Sequence, residues 1–105
     1  MKKYIIILST AASRKEAVKI ANILLKKKLC ACVNIIDGLD SIYRWKGKVE
    51  RSKENLLIIK TTKGMFEKVE KEIVKNHSYD TPEIIAMPVV TGNKRYLGWI
   101  SESVK

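Results

Sequence analysis

At 105 residues the chain is sized for one domain, read here over 1–105, that buries roughly 65% of its unfolded surface and holds a core without staples. A formal charge of +10 directs attention to nucleic acid, an anionic membrane surface or an acidic ligand, but no apolar run approaches the ~20 residues of a membrane span, and Tyr4–Leu8 falls short of the ~7–15 of a secretory leader. Two cysteines, Cys30 and Cys32, are one residue apart; on one strand they would share a face with Cα atoms ~6.6 Å apart, which disfavours a disulfide and fits a reduced, cytoplasmic chain.

Tyr4-Ile5-Ile6-Ile7-Leu8-Ser9-Thr10 is a continuous apolar and β-branched run, the pattern of a strand buried on both faces. Ser13-Arg14-Lys15-Glu16 reads as a capping box, and behind it Ala17, Ile20, Ala21, Leu24 and Leu25 recur at helical spacing. This predicts a helix to about Lys28, whose closing Lys26-Lys27-Lys28 complements the helix dipole and so need not be a phosphate site. Leu29 to Ile36 forms a second apolar strand, followed by a bend at Asp37-Gly38. Ser41, Tyr43 and Trp45 then alternate with Ile42, Arg44 and Lys46. A glycine turn at Lys46-Gly47-Lys48 leads into a return strand through Asn55 to Thr61, making a long hairpin. Phe66, Val69 and Ile73 mark one face of a second helix, and His77, four residues on, falls on the same inward side at its end. Pro82 sets its own φ and keeps Thr81 out of the helical region, so that helix stops earlier and a strand from Glu83 to Val90 follows. Thr91-Gly92-Asn93 turns the chain into a short closing helix with Tyr96, Leu97, Trp99, Ile100 and Val104.

Strand, helix, strand, strand, helix, strand and an extra C-terminal helix is the ferredoxin-like βαββαβ order. It is an α+β fold with an antiparallel four-stranded sheet and a long hairpin of the second and third strands. Right-handed crossovers put both main helices on one face. The second strand then lies at an edge, apolar on both sides from Cys30 to Ile36, and the second face of an apolar sheet is left uncovered. Both features predict a homo-oligomer.

RNA-recognition modules share this order and stack bases on aromatic residues of their first and third strands. Here the third strand, Leu56 to Thr61, has no aromatic residue and the first only Tyr4, so nucleic acid is not an expected partner. For a metal, the donors are Cys30, Cys32, His77, Asp80 and Glu83. Thiolates suit Cu(I), while imidazole and carboxylate suit Cu(II) or Zn, although the count falls short of a zinc-finger framework. The same residues have plainer uses: Asp80 bonding local amides in a turn, His77 capping helix carbonyls, the cysteines filling a core. No phosphate-loop, dinucleotide, nucleophile-elbow or Cys-x-x-Cys pattern is present, and catalysis is not expected. Tyr43, Trp45, Tyr96 and Trp99 either line a cleft or pack.

Five blocks go further together than any does alone: Ala31-Cys32-Val33-Asn34-Ile35, Ser41-Ile42-Tyr43-Arg44-Trp45-Lys46-Gly47-Lys48, Lys60-Thr61, His77-Ser78-Tyr79-Asp80-Thr81-Pro82-Glu83-Ile84, and Tyr96-Leu97-Gly98-Trp99. In this order and spacing the chain resembles the CutA family of divalent-cation tolerance proteins over nearly its whole length. The resemblance implies a homotrimer of ferredoxin-like subunits, similar in build to the PII signal proteins, with sheets inward and helices outward. It also implies tolerance or binding of copper and other divalent ions. Cys32 and the His77, Asp80 and Glu83 motif match the family, Trp45, Lys60 and Tyr79 line clefts between subunits, and no cofactor is required beyond such an ion. Cys30 is extra to the family pattern and either strengthens soft-metal binding or fills space. Arg44 and Lys46 stand where relatives often carry aromatic and acidic or glutamine residues, so the cleft rim is more positive and favours an anion or a ligand-bound metal. That supplies an alternative: a PII-like trimeric sensor or scaffold taking a small anionic ligand.

Overall fold

A computed structural model describes residues 3–105. In chain order the elements are β1 (Tyr4–Ala11), α1 (Arg14–Lys26), β2 (Cys32–Trp45), β3 (Lys48–Thr62), a 3-10 turn (Lys63–Met65), α2 (Phe66–Asn76), β4 (Ile84–Pro88) and α3 (Lys94–Ser103). The four strands form one antiparallel sheet in the order β2-β3-β1-β4, with β2 at an edge, so the α+β ferredoxin-like arrangement expected from the sequence is the one found.

Alternation along the strands divides the sheet into two faces. Ile5 and Ile7 of β1 and Leu57 and Ile59 of β3 are buried with Ala17, Ile20 and Leu24 of α1 and Val69 and Ile73 of α2, which make the core. On the other face the register aligns Ile6 with Met87 and Lys60, and Leu8 with Ile85 and Ile58. Tyr4 opens that face and shares a hydrogen bond with Ser101, so α3 lies across one end of it with Ile100 and Val104 buried. Beyond α3 the face is bare, and Ile36, Ile85 and Met87 are exposed.

Several element ends differ from the sequence reading. Helix α1 stops at Lys26 rather than Lys28 because Lys28 takes the left-handed conformation (φ 58°). The Lys28 amide then donates to the Leu25 carbonyl and the Leu29 amide to that of Leu24, a Schellman closure with lysine where glycine is usual. Leu29 and Cys30 consequently belong to a buried connection held by Thr61 Oγ1 donating to the Leu29 carbonyl at 2.7 Å, and β2 begins only at Cys32. The shared strand face predicted for Cys30 and Cys32 therefore does not form; both thiols are free. β4 is confined to Ile84–Pro88, shorter than Glu83 to Val90. Ser13 caps α1 as expected, its Oγ accepting from the Glu16 amide at 3.1 Å, but Glu16 reaches back to the Ala12 amide (3.4 Å) rather than to that of Ser13.

The hairpin is longer than the sheet that supports it. β1 pairs with β3 only from Asn55 onward, so the part of β3 before that point and the part of β2 from Leu39 on form a two-stranded ribbon. A register shift between Ile36 and Leu39, with Gly38 at φ 73°, redirects the ribbon. Its turn is Lys46-Gly47 at φ 50° and 79°, the paired positive angles of a two-residue hairpin connection whose twist matches its strands.

Candidate functional site

The segment after α2 is pinned by two side chains before it reaches the sheet. His77 leaves the helix in an extended conformation, and its side chain is 0% exposed. Its Nδ1 accepts the Tyr79 amide proton at 3.0 Å, which leaves Nε2–H to donate to the Thr10 carbonyl at 2.6 Å. With both ring nitrogens engaged, the imidazole brackets β1 to the 77–83 segment and offers no lone pair to an ion. It caps a strand carbonyl, not the helix carbonyls expected. Glu16 adds a second strap: its carboxylate accepts from the Ser78 amide (3.1 Å) and the Ser78 hydroxyl (3.2 Å). Among the described residues Asp80 makes no hydrogen bond to a local amide, so the turn is held by His77 and Glu16 instead.

So positioned, Tyr79 stacks obliquely on His77, with ring centroids 4.7 Å apart, and donates its hydroxyl to Glu54 Oε2 at 2.8 Å. Burial, reinforced by the Glu54 carboxylate, pushes the phenol well above its ordinary range, so it stays a donor at any ordinary pH. Tyr79 and Glu54 lie in a cleft of about 520 Å³ between the ribbon and the 77–83 segment, also lined by Tyr43, Trp45, Asp80 and Glu83.

Five of the residues singled out in the sequence, Tyr43, Trp45, Tyr79, Asp80 and Glu83, therefore meet in one cleft. Cys32 and Lys60 do not join them within the chain. They face each other across β2 and β3, and Lys60 Nζ donates to Asn34 Oδ1 beside the Cys32 thiol, which sits 3.9 Å from the same oxygen. Lys60 pairs with Ile6, four residues along β1 from the Thr10 that holds His77, so the two groups are roughly 13 Å apart along the strand. Cys30 is 2% exposed, and burial, with the nearby Cys32 charge as a lesser cause, pushes its thiol up to about 12. That is the chemistry of a core residue rather than a ready thiolate. Among the described residues no three histidine, cysteine, aspartate or glutamate side chains converge as a metal site. Sequence reasoning missed Glu54, a buried carboxylate that lines the cleft, and the second role of Glu16. Glu54 is 25 residues from Tyr79 and carries no local signal; Glu16 was visible only as a capping residue.

Comparison with known proteins yields the same outline. The family model described as CutA1 divalent ion tolerance protein matches residues 5–103. The divalent-cation tolerance protein CutA of Thermus thermophilus is 44% identical over 98 residues, which cover 93% of this chain and 95% of that protein. The chloroplastic protein CutA of Arabidopsis thaliana is 42% identical over 101 residues, 96% of this chain, but the chain spans only 56% of that protein's length. Among solved structures, the periplasmic divalent cation tolerance protein CutA of Archaeoglobus fulgidus superposes with a TM-score of 0.95 at 44% identity, covering 97% of this chain and 99% of that one. CutA1 of Oryza sativa gives 0.96 at 38% identity, covering 98% and 94%.

Proposed function

Since this chain belongs to the CutA1 family of divalent ion tolerance proteins, we propose that it works as a cytoplasmic homotrimer that binds divalent metal ions, copper foremost, without catalysing a reaction. One observation carries the reading. The apolar sheet face beyond α3 is bare and runs out to the unpaired edge strand β2, with Ile36, Ile85 and Met87 exposed. Such a face and edge are stable in water when another copy covers them. Assembly also supplies what one chain lacks for metal binding. Cys32 on the edge strand and Asp80 and Glu83 in the cleft are too dispersed to chelate alone, so a neighbouring subunit completes the ligand set. The two free thiols support a reducing compartment. An anionic metabolite is the weaker ligand for the part of the cleft that one chain lines, because Glu54, Asp80 and Glu83 lie there.

Sedimentation at micromolar concentration tests the assembly, with three times the chain mass expected and a monomer refuting it. Titration of the reduced, metal-free protein with Cu(I), Cu(II) and Zn(II) tests the ligand. Saturable binding weakened by Cys32→Ser or by Asp80→Asn with Glu83→Gln supports the reading, and absence of stoichiometric binding overturns it. His77→Ala is the wrong probe here, since it removes the bracket that positions the cleft.

A further inference from the structure

The charge of the chain is unevenly placed. Residues 37–54 and 77–83, which hold the ribbon and the segment opposite it, carry six acidic and five basic side chains, so the whole of the +10 lies on the rest of the molecule. Much of it stands on the two-helix layer. In α1 the buried Ala17, Ile20, Ala21 and Leu24 face the core, and at about 100° per residue Lys15, Lys19 and Lys26 fall on the opposite crest, all exposed. In α2 Val69 and Ile73 face the core, and the two flanks of that helix differ in sign. Lys68, Lys71 and Lys75 share the flank of Glu72, which is turned to α1, since Glu72 takes the Lys27 ammonium at 2.8 Å. Glu67 and Glu70 stand on the far flank. Between the two lysine rows the carboxylates are Glu16 and Glu72, and both are engaged, Glu16 by Ser78 and Ala12 and Glu72 by Lys27. The hydrogen bond from Lys27, with Lys75 and Lys71 as lesser causes, holds the Glu72 carboxyl below its usual range.

We propose that this helix layer docks on the phosphate backbone of double-stranded nucleic acid, its two lysine rows straddling the seam between α1 and α2. At a rise of about 1.5 Å per residue, Lys15 to Lys26 spans about 16 Å and Lys68 to Lys75 about 10 Å. A duplex carries one negative charge per about 1.7 Å of its axis, so each row meets several phosphates at once. The contact rests on charge and reads no bases, so the aromatic-poor sheet that removed base stacking from expectation has no bearing on it. The layer lies on the side of the sheet opposite the bare apolar face, and assembly through that face leaves it open. An anionic bilayer is the weaker partner on two counts. Leu25 and Val74, the exposed large apolar side chains of the two helices, lie on the flanks away from the seam, so no apolar anchor accompanies the lysines. In the trimer proposed above the helix layers look outward in three directions, and a flat surface reaches one of them at a time, which forgoes the avidity of several linked contacts.

Fluorescence anisotropy of a labelled DNA duplex of about 25 base pairs and mixed sequence, titrated with the intact, metal-free protein between about 50 and 200 mM salt, tests this. The expected result is saturable binding that falls linearly on a log–log plot against salt, with a slope of about −3 to −5 for the few phosphates neutralised. Lys68→Gln with Lys71→Gln and Lys75→Gln should weaken binding at least about tenfold at the lowest salt and flatten the slope by about 2–3. Lys15→Gln with Lys19→Gln and Lys26→Gln should do the same. Removing equal charge from the ribbon, by Lys46→Gln with Lys48→Gln and Lys53→Gln, should leave the slope unchanged and the affinity within about twofold. All of these side chains are exposed, so circular dichroism and sedimentation of the variants should match the parent. An RNA duplex of the same sequence forms the second arm; binding in either arm supports the proposal, and the tighter arm names the source. The proposal is overturned by absent saturation, by an equal loss in the ribbon variant, or by tighter binding to vesicles of phosphatidylcholine with roughly one-third phosphatidylserine than to either duplex. Because no metal is present, failure of duplex binding and failure of copper binding are read independently.

Discussion

His77 is the residue whose removal tests the architecture of the cleft most directly. His77→Ala deletes a fully buried ring and orphans two backbone groups at once, the Thr10 carbonyl and the Tyr79 amide. Each orphaned buried group costs about 1–3 kcal/mol, and water entering the vacated space recovers part of it, so a loss of about 3 kcal/mol is expected. For a domain of this size each kcal/mol moves the midpoint by about 4–8 °C, which puts the variant roughly 12–24 °C below the parent. The comparison must be made at one protomer concentration, because self-association would make the midpoint concentration-dependent. Hydrogen exchange supplies a local readout: the Tyr79 amide is protected by the His77 ring in the parent and should exchange freely in the variant. A midpoint within 2 °C of the parent, with that amide still protected, would refute the bracket.

Three further outcomes follow from other parts of the chain. Lys28→Gly should raise stability by about 0.5–1 kcal/mol in urea denaturation, since glycine relieves the left-handed strain at the end of α1 while losing some of the gain to its freer unfolded state. Gly47→Val should lower stability by about 1–2 kcal/mol and reduce the oligomer fraction in sedimentation; a Cβ at Gly47 meets open space, so the cost is backbone strain at φ 79° and a repacked contact is not involved. Cys30 gives a pH dependence. Its folded thiol is raised from 9.0 to about 12, so its contribution is intact below pH 9 and is lost as pH rises from 9 towards 12. Urea midpoints at pH 8 and pH 10.5 should therefore fall further apart in the parent than in Cys30→Ala, and equal differences would count against a buried thiol.

What could be read from the sequence was what depends on short-range pattern. The apolar run of β1, the Ser13 cap, the glycine turn at residue 47 and the helix stop ahead of Pro82 are local signals, and each is where it was expected. The end of α1 was missed because Lys28 adopts a backbone angle that glycine or asparagine would have advertised. The bare sheet face was legible from strands apolar on both sides, and it is present. The cleft was legible only in part. Tyr79, Asp80 and Glu83 drew attention as a polar cluster beside a proline, but Glu54 comes from the opposite strand of the ribbon, and only the tertiary register brings it under the Tyr79 hydroxyl. His77 attracted a ligand reading because it is the only histidine; its real partners are two backbone groups, one of them 67 residues away, which no spacing rule reveals.

The place of β1 at the centre of the sheet bears on how the chain folds. β1 precedes the other strands in the chain, yet its partners lie far along it: Ala11 pairs with Asn55, Tyr4 with Thr62 and Ile5 with Pro88. The β2–β3 hairpin, closed by a two-residue turn, needs no such wait. The slow event in folding is then insertion of β1 between a finished hairpin and a late β4, since the entropy of closing such long loops comes before the contacts that reward it. Until β4 is made, one edge of the stickiest strand in the protein stays open to any neighbouring chain, so the yield of folded protein should depend on how crowded the nascent chains are.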